Sequence, residues 1–205
     1  MSPYAPVALA GVVLALAQPA LRAQDGKAEK ERAVAQVKKL GGKVEVDTQR
    51  PGAPVVGVDL SHAKVVDASL EHLKELTTVQ RLLLRDTTVT DDGMVYLRGL
   101  TDLEALELGR TKVTDKGLEH LRGFVKLRRL DLGGTQVTDK GLARLKGLTR
   151  LETLGLENAA GVGDAGLLHL KGLVELRKLD LRGTGVTDAG ARGLQKALPK
   201  VKIVR

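Results

Sequence analysis

From Val55 onward, apolar residues fall in one spacing that returns about every 24 positions. Counted from its first leucine, the unit reads LxxLxLxxTxVTDxGLxxLxGLxx, and residues 79–102, 103–126 and 127–150 fit it without gaps. A degenerate copy covers 55–78, with Ala63 for the threonine and Ser69 for the glycine. Residues 151–175 carry one extra position around ENAAGVGD, and 176–200 form the last unit before VKIVR. Apolar positions 1, 4 and 6 predict a short strand and its approaches facing a core. Leucines at 16 and 19, three apart, predict a helix face on the same core.

The polar constants have local explanations. Threonine at position 9 (Thr87, Thr111, Thr135, Thr184) is expected to bond backbone groups buried where the chain leaves the strand. Threonine at position 12 (Thr90, Thr114, Thr138, Thr187) stands where a helix needs an N-cap, and the following aspartate places negative charge at the positive helix end. Glycine at 15 is read as allowing close packing, and glycine at 21 as easing the helix exit.

A period of 20 to 29 residues built on LxxLxL marks a leucine-rich repeat, each coil a strand and a helix. The TxVTDxGLxxLxGL phrasing resembles the repeats of exported planctomycete-type bacterial proteins and is similar to the ribonuclease-inhibitor-like repeats found beside F-boxes. LGGKVEVDTQRPGAPVVGVDL resembles the lead-in to such arrays. The resemblance implies an α/β fold: a curved, right-handed solenoid of about six repeats over 55–205, with a parallel concave sheet, convex helices and a C-terminal capping strand. It implies protein binding and transfers no catalytic residue. An F-box-type ubiquitin-ligase role is a distant alternative, since residues 24–54 are too short and too polar to hold an F-box.

Residues 24–54 instead read as a cap. KAEKERAVAQVKKLGG spaces Val34, Val37 and Leu40 helically and stops at Gly41, and KVEVD alternates Val44 and Val46 as a strand does. An array end left bare would expose both core and sheet edge. Before this segment, residues 7–17 (VALAGVVLALA) are apolar but shorter than the roughly 20 residues a spanning helix needs. With small residues around Ala23, they predict a signal peptide over 1–23. The expected mature chain starts at Gln24, has no membrane span and is secreted or periplasmic. Without cysteine it carries neither a lipid anchor at the cleavage point nor a disulfide.

Composition narrows the chemistry. Aromatic residues make up 1% of the chain, so leucine, valine and alanine must fill the core. The only serines are Ser2, Ser61 and Ser69, and no phosphate-binding glycine loop is present. His72, His120 and His169 share position 18 but lie two repeats apart, too far to converge on one metal. Neither enzymatic activity nor a cofactor or metal is expected.

Positions that drift are the candidates for recognition. On the concave strands, positions 3, 5 and 7 supply Arg81, Arg85, Glu107, Arg129, Asp131, Glu157, Lys178, Asp180 and Arg182, read as a charged docking surface for a protein or peptide. With no tryptophan or tyrosine among them, affinity would rest on arginine. Position 20 carries Lys74, Arg98, Arg122, Lys146 and Lys171, and the formal net charge is +8. That column suggests an alternative: adhesion to an envelope surface or polyanion, such as an acidic polysaccharide or lipid headgroups. Nucleic acid is not an expected partner, for want of aromatic stacking residues. Both columns also fit ordinary solvated charge, the second because cations favour helix C-termini.

Overall fold

The computed structural model describes residues 26–205; the signal peptide predicted over 1–23 lies outside them. Residues 26–39 form helix α1, which ends at Gly41 in the left-handed region at φ 85°. Strands β1 (Lys43–Val46) and β2 (Val55–Asp59) follow, and β1 runs antiparallel to β2. Ala33 and Val37 of α1 join the main core.

Every later strand repeats one geometry. β3 (Arg81–Leu83), β4 (Ala105–Glu107), β5 (Arg129–Asp131), β6 (Thr153–Gly155), β7 (Lys178–Asp180) and β8 (Lys202–Val204) add in sequence order to an eight-stranded sheet, all parallel to β2. The core is a stack of equivalent layers. In the repeat from Leu103, the side chains of Leu103, Leu106, Leu108, Val113, Leu118, Leu121 and Phe124 are all fully buried. Truncating any of these leucines would cost about 2 to 5 kcal/mol.

The convex side is less α-helical than its leucine pattern suggests. It comprises 3-10 helices at Asp67–Glu75 and Gly117–Gly123, and single α-turns α2 (Asp91–Met94) and α3 (Asp139–Leu142), each running into 3-10 geometry. Only α4 (Asp164–Leu170) and α5 (Asp188–Ala197) are longer α-helices. Buried residues three apart suit the tighter turn, as Leu118, Leu121 and Phe124 do. The spacing does not impose it, since Leu167, Leu170 and Leu173 are also three apart where α4 is α-helical.

A side-chain ladder ties each repeat to the next. Thr114 donates its backbone N–H to Asp91 Oδ1 (2.7 Å) and its hydroxyl to Asp91 Oδ2 (2.6 Å), while its hydroxyl oxygen accepts from Lys116 N–H (3.3 Å). The same pairing joins Thr90 to Asp67, Thr138 to Asp115 and Thr187 to Asp164. A threonine suits this place because its hydroxyl both accepts and donates. Aspartate caps a helix as well but has no proton to give. The aspartate at position 13, read from sequence as a charge for the helix end, therefore also clamps the following repeat.

That clamp explains position 15. A Cβ on Gly117 would sit 2.6 Å from Asp91 Oδ1, and one on Gly93 would sit 2.5 Å from Asp67 Oδ1. At the far end, Arg205 takes over both contacts of the ladder. One guanidinium nitrogen pairs with Asp188 and the other donates to the Val186 carbonyl at 2.8 Å. In earlier coils the equivalent carbonyl accepts a backbone N–H from the following repeat, as Val89 does from Lys112 at 2.8 Å.

Position 9 forms an inner column of threonines, each bonded within its own repeat. Thr87, Thr111 and Thr135 are buried and donate their hydroxyls to the carbonyls of Leu84, Leu108 and Leu132, each at 2.7 Å.

Candidate functional site

Parallel pairing without slippage turns repeat positions into columns across the sheet. Position 3 stacks Gly57, Arg81, Ala105, Arg129, Thr153, Lys178 and Lys202; position 5 stacks Asp59, Leu83, Glu107, Asp131, Gly155, Asp180 and Val204. Position 4 between them is buried from Val58 to Leu179, which leaves columns 3 and 5 on the opposite, open face. Lys202 was not among the residues singled out from the sequence. Closing the last unit at Lys200 moves it off the column, whereas counting 24 positions from Lys178 finds it.

Several of these charges satisfy one another. Arg85 Nη1 reaches over the intervening repeat to Asp131 Oδ2 at 2.9 Å. Gly109 is the gap that permits it, because a Cβ there would lie 2.6 Å from that oxygen and 3.0 Å from the guanidinium. The other Asp131 oxygen accepts from Gly133 N–H at 2.9 Å. Arg182 binds Asp180 at 2.7 Å and Glu157 at 3.0 Å, and its hydrogen bond holds the Asp180 carboxyl below its ordinary pKa against the opposing effect of burial. Arg81 pairs with Glu45 of β1, so it is no free cation.

Glu107, Arg129, Lys178 and Lys202 make no ion pair within 4.0 Å among the described residues. Glu107 is half-buried beside Asp131. Burial first, and then the Asp131 carboxylate, raise its pKa above the usual carboxylate value; Arg85 and Arg129 oppose this and Asp59 adds to it. The centre of the face is low, since Gly109, Gly133 and Gly155 present no side chains around Asp131. Free positive charge thus lies along column 3 in β5, β7 and β8, and free negative charge in column 5 at Asp59 in β2 and Glu107 in β4.

The position-20 column is not uniform either. Lys74 lies 3.2 Å from Glu71. Arg98 donates to His120 Nδ1 at 3.0 Å, which requires a neutral imidazole with its proton on Nε2. Burial, followed by the Arg98 charge, lowers the His120 pKa accordingly. Arg122, Lys146 and Lys171 are exposed and form no ion pair among the described residues. Elsewhere, an open cleft of about 730 Å³ lies between α1 and the 50–55 loop, lined by Lys30, Glu31, Val34, Pro51 and Leu76 among others. Among the described residues, no group of three or more His, Asp or Glu side chains is placed to hold a metal ion.

Comparisons with known proteins agree with this architecture. The leucine-rich repeat family profile matches residues 99–121, 125–146 and 176–194. No curated protein sequence matches the chain. Among solved structures, it is similar to the internalin inlF of Listeria monocytogenes, with a TM-score of 0.53 at 20% identity over 76% of this chain and 52% of that one. It is also similar to a leucine-rich-repeat protein of Leptospira interrogans, with a TM-score of 0.58 at 19% identity over 73% of this chain and 37% of that one. The chain spans about half of the first and little more than a third of the second. At these identities the likeness is one of fold, and the fold is that of a leucine-rich-repeat solenoid.

Proposed function

We propose that the protein is a non-catalytic module that binds a protein or peptide on its concave face, outside the cytoplasm. The carrying observation is the in-register set of charges on the open sheet face that find no internal partner: Arg129, Lys178 and Lys202 in one column and Glu107 beside it. Glycines 109, 133 and 155 keep the surface between them low, so a partner's backbone can approach closely. The leucine-rich-repeat fold favours such a role, and the apolar run at 7–17 followed by small residues favours export. Without aromatic anchors, binding would be moderate and would weaken with salt.

The test is capture from the producing cell's envelope proteins on the immobilised full chain. Arg129→Glu/Lys178→Glu/Lys202→Glu should lose the band that the parent protein retains. Arg122→Glu/Lys146→Glu/Lys171→Glu, with the same change of net charge, should keep it. Equal loss in both variants, restored together at low salt, would reduce the reading to diffuse electrostatics. Intact mass of the exported protein should correspond to a start at Gln24.

An acidic polysaccharide bound along Lys74, Arg98, Arg122, Lys146 and Lys171 is the second reading. Only the C-terminal three of these cations are unmatched, so such a ligand would be held chiefly there.

A further inference from the structure

The loops that lead from each convex segment to the next strand form one rim of the solenoid. Because the strands pair without slippage, these loops lie level with one another. In the C-terminal half this rim carries Arg150, Lys171 and Lys200, and the last turns of the convex segments that lead into it add Arg122, Lys146 and Lys196, all exposed. None of the six lies within 4.0 Å of a carboxylate among the described residues. The carboxylates nearby are already committed: Glu119 to Arg144 at 2.7 Å, Glu152 to Arg128, and Glu175 to Arg177 at 3.9 Å. The surplus is therefore a property of the rim and not an artefact of counting lysines.

Apolar side chains are exposed among these cations. Val174 is 69% exposed and Val125 56%, at the same place in two repeats, and Leu168 at 59% lies one turn before Lys171 on α4. Thr101 and Thr149 hold the corresponding loop place in the neighbouring repeats. A level edge of cations with apolar tips between them matches an anionic bilayer surface, where headgroups take the charge and valine or leucine enters the interface. A sugar polymer offers nothing for those tips, and the rim has no exposed aromatic ring to stack on a pyranose, Phe124 being buried. No described helix is long and apolar enough to cross a membrane, so the contact is peripheral.

From this arrangement we infer that the C-terminal half of the rim, from Arg122 to Lys200, docks the solenoid onto anionic lipid headgroups and leaves the concave face free. The site is separate from the proposed protein-binding face, and either can fail without the other.

The experiment is co-sedimentation of the full chain with phosphatidylcholine vesicles, with and without phosphatidylglycerol. Binding should require the anionic lipid and fall with salt. Arg122→Gln/Arg150→Gln/Lys171→Gln should weaken it by about fivefold per residue, on the order of a hundredfold in all. Arg129→Gln/Lys178→Gln/Lys202→Gln, an equal change of charge on the other face, should leave vesicle binding intact. Val174→Ser should weaken binding severalfold at constant charge. Thermal melts check that the variants stay folded, which is expected because the rim side chains have no partners to lose. Equal loss in both triple variants would overturn the proposal, as would equal binding to vesicles lacking the anionic lipid. Retention on a sulfated polysaccharide without any vesicle binding would overturn it in favour of a polyanion site.

Discussion

Asp91 and Thr114 stand 23 residues apart and share two hydrogen bonds of 2.7 and 2.6 Å, one to each carboxylate oxygen. A third bond reaches Asp91 from the Gly117 N–H at 2.9 Å. Asp91→Ala should therefore cost more than an exposed aspartate at a helix start would, about 1.5 to 3 kcal/mol. In a double-mutant cycle with Thr114→Val, denaturant midpoints should show clear coupling between the two sites. Strict additivity would mean that the bonds contribute nothing across the repeat boundary.

Gly93 lies within α2, where alanine ordinarily gains about 0.5 to 1 kcal/mol over glycine. Here the sign should invert, because the new methyl group would press on Asp67 Oδ1, Val89 and Leu70 at 2.5 to 3.1 Å. Gly93→Ala is expected to destabilise the parent protein. In an Asp67→Ala background it should do so much less, and chemical denaturation of the four proteins measures the difference.

Replacing Arg205 by alanine should act locally. Asp188 is largely exposed, so its ion pair contributes at most about 1 kcal/mol, but the Val186 carbonyl loses its donor. Hydrogen exchange should accelerate in α5 and β8 and stay unchanged in β3 and β4. Uniform acceleration over the whole array would contradict a terminal role.

Glu107 gives a pH signature. Its native pKa is raised, chiefly by burial, so its ionised form is held less well in the folded chain than in the unfolded one. Its destabilising effect is absent below the unfolded value near pH 4 and grows as pH rises through the native one. Glu107→Gln should thus raise stability at pH 7, and the gain should vanish toward pH 3.5. A gain independent of pH would assign it to packing instead.

How far the sequence reaches can be judged on particular residues. The columns of the sheet were legible because three repeats align without gaps, so the pairing of Arg81 with Ala105 and of Ala105 with Arg129 follows from counting. The partners of the charges were not. Arg85 passes over a repeat to Asp131, and Arg81 turns back to Glu45, a residue outside the repeat unit. Column arithmetic considers adjacent strands only, and a glycine between two charges changes which ones can meet. Position 8 was also missed. His62, Asp86, Arg110, Gly134, Asn158 and Gly183 all have φ between 55° and 68°, and all but Arg110 are residue types favoured there. The 3-10 convex segments were not legible, because leucines recur at three both there and in the α-helical α4.

The ladder has one weak rung. Where the second, third, fourth and sixth repeats place a threonine, the fifth, one residue longer, has Gly163, which offers Asp139 a single N–H at 2.7 Å and no hydroxyl. Solenoid stability is a chain of nearest-neighbour couplings, and at this joint a backbone bond from the Asp139 N–H to the Gly161 carbonyl at 3.2 Å replaces the hydroxyl bond, with glycine at both 161 and 163, so changes of pitch should concentrate there. That joint falls between Arg129 on one side and Lys178 and Lys202 on the other. Under tension, or on meeting a partner of slightly different pitch, the solenoid would flex there, and the spacing of its unmatched cations would become an adjustable gauge instead of a fixed one.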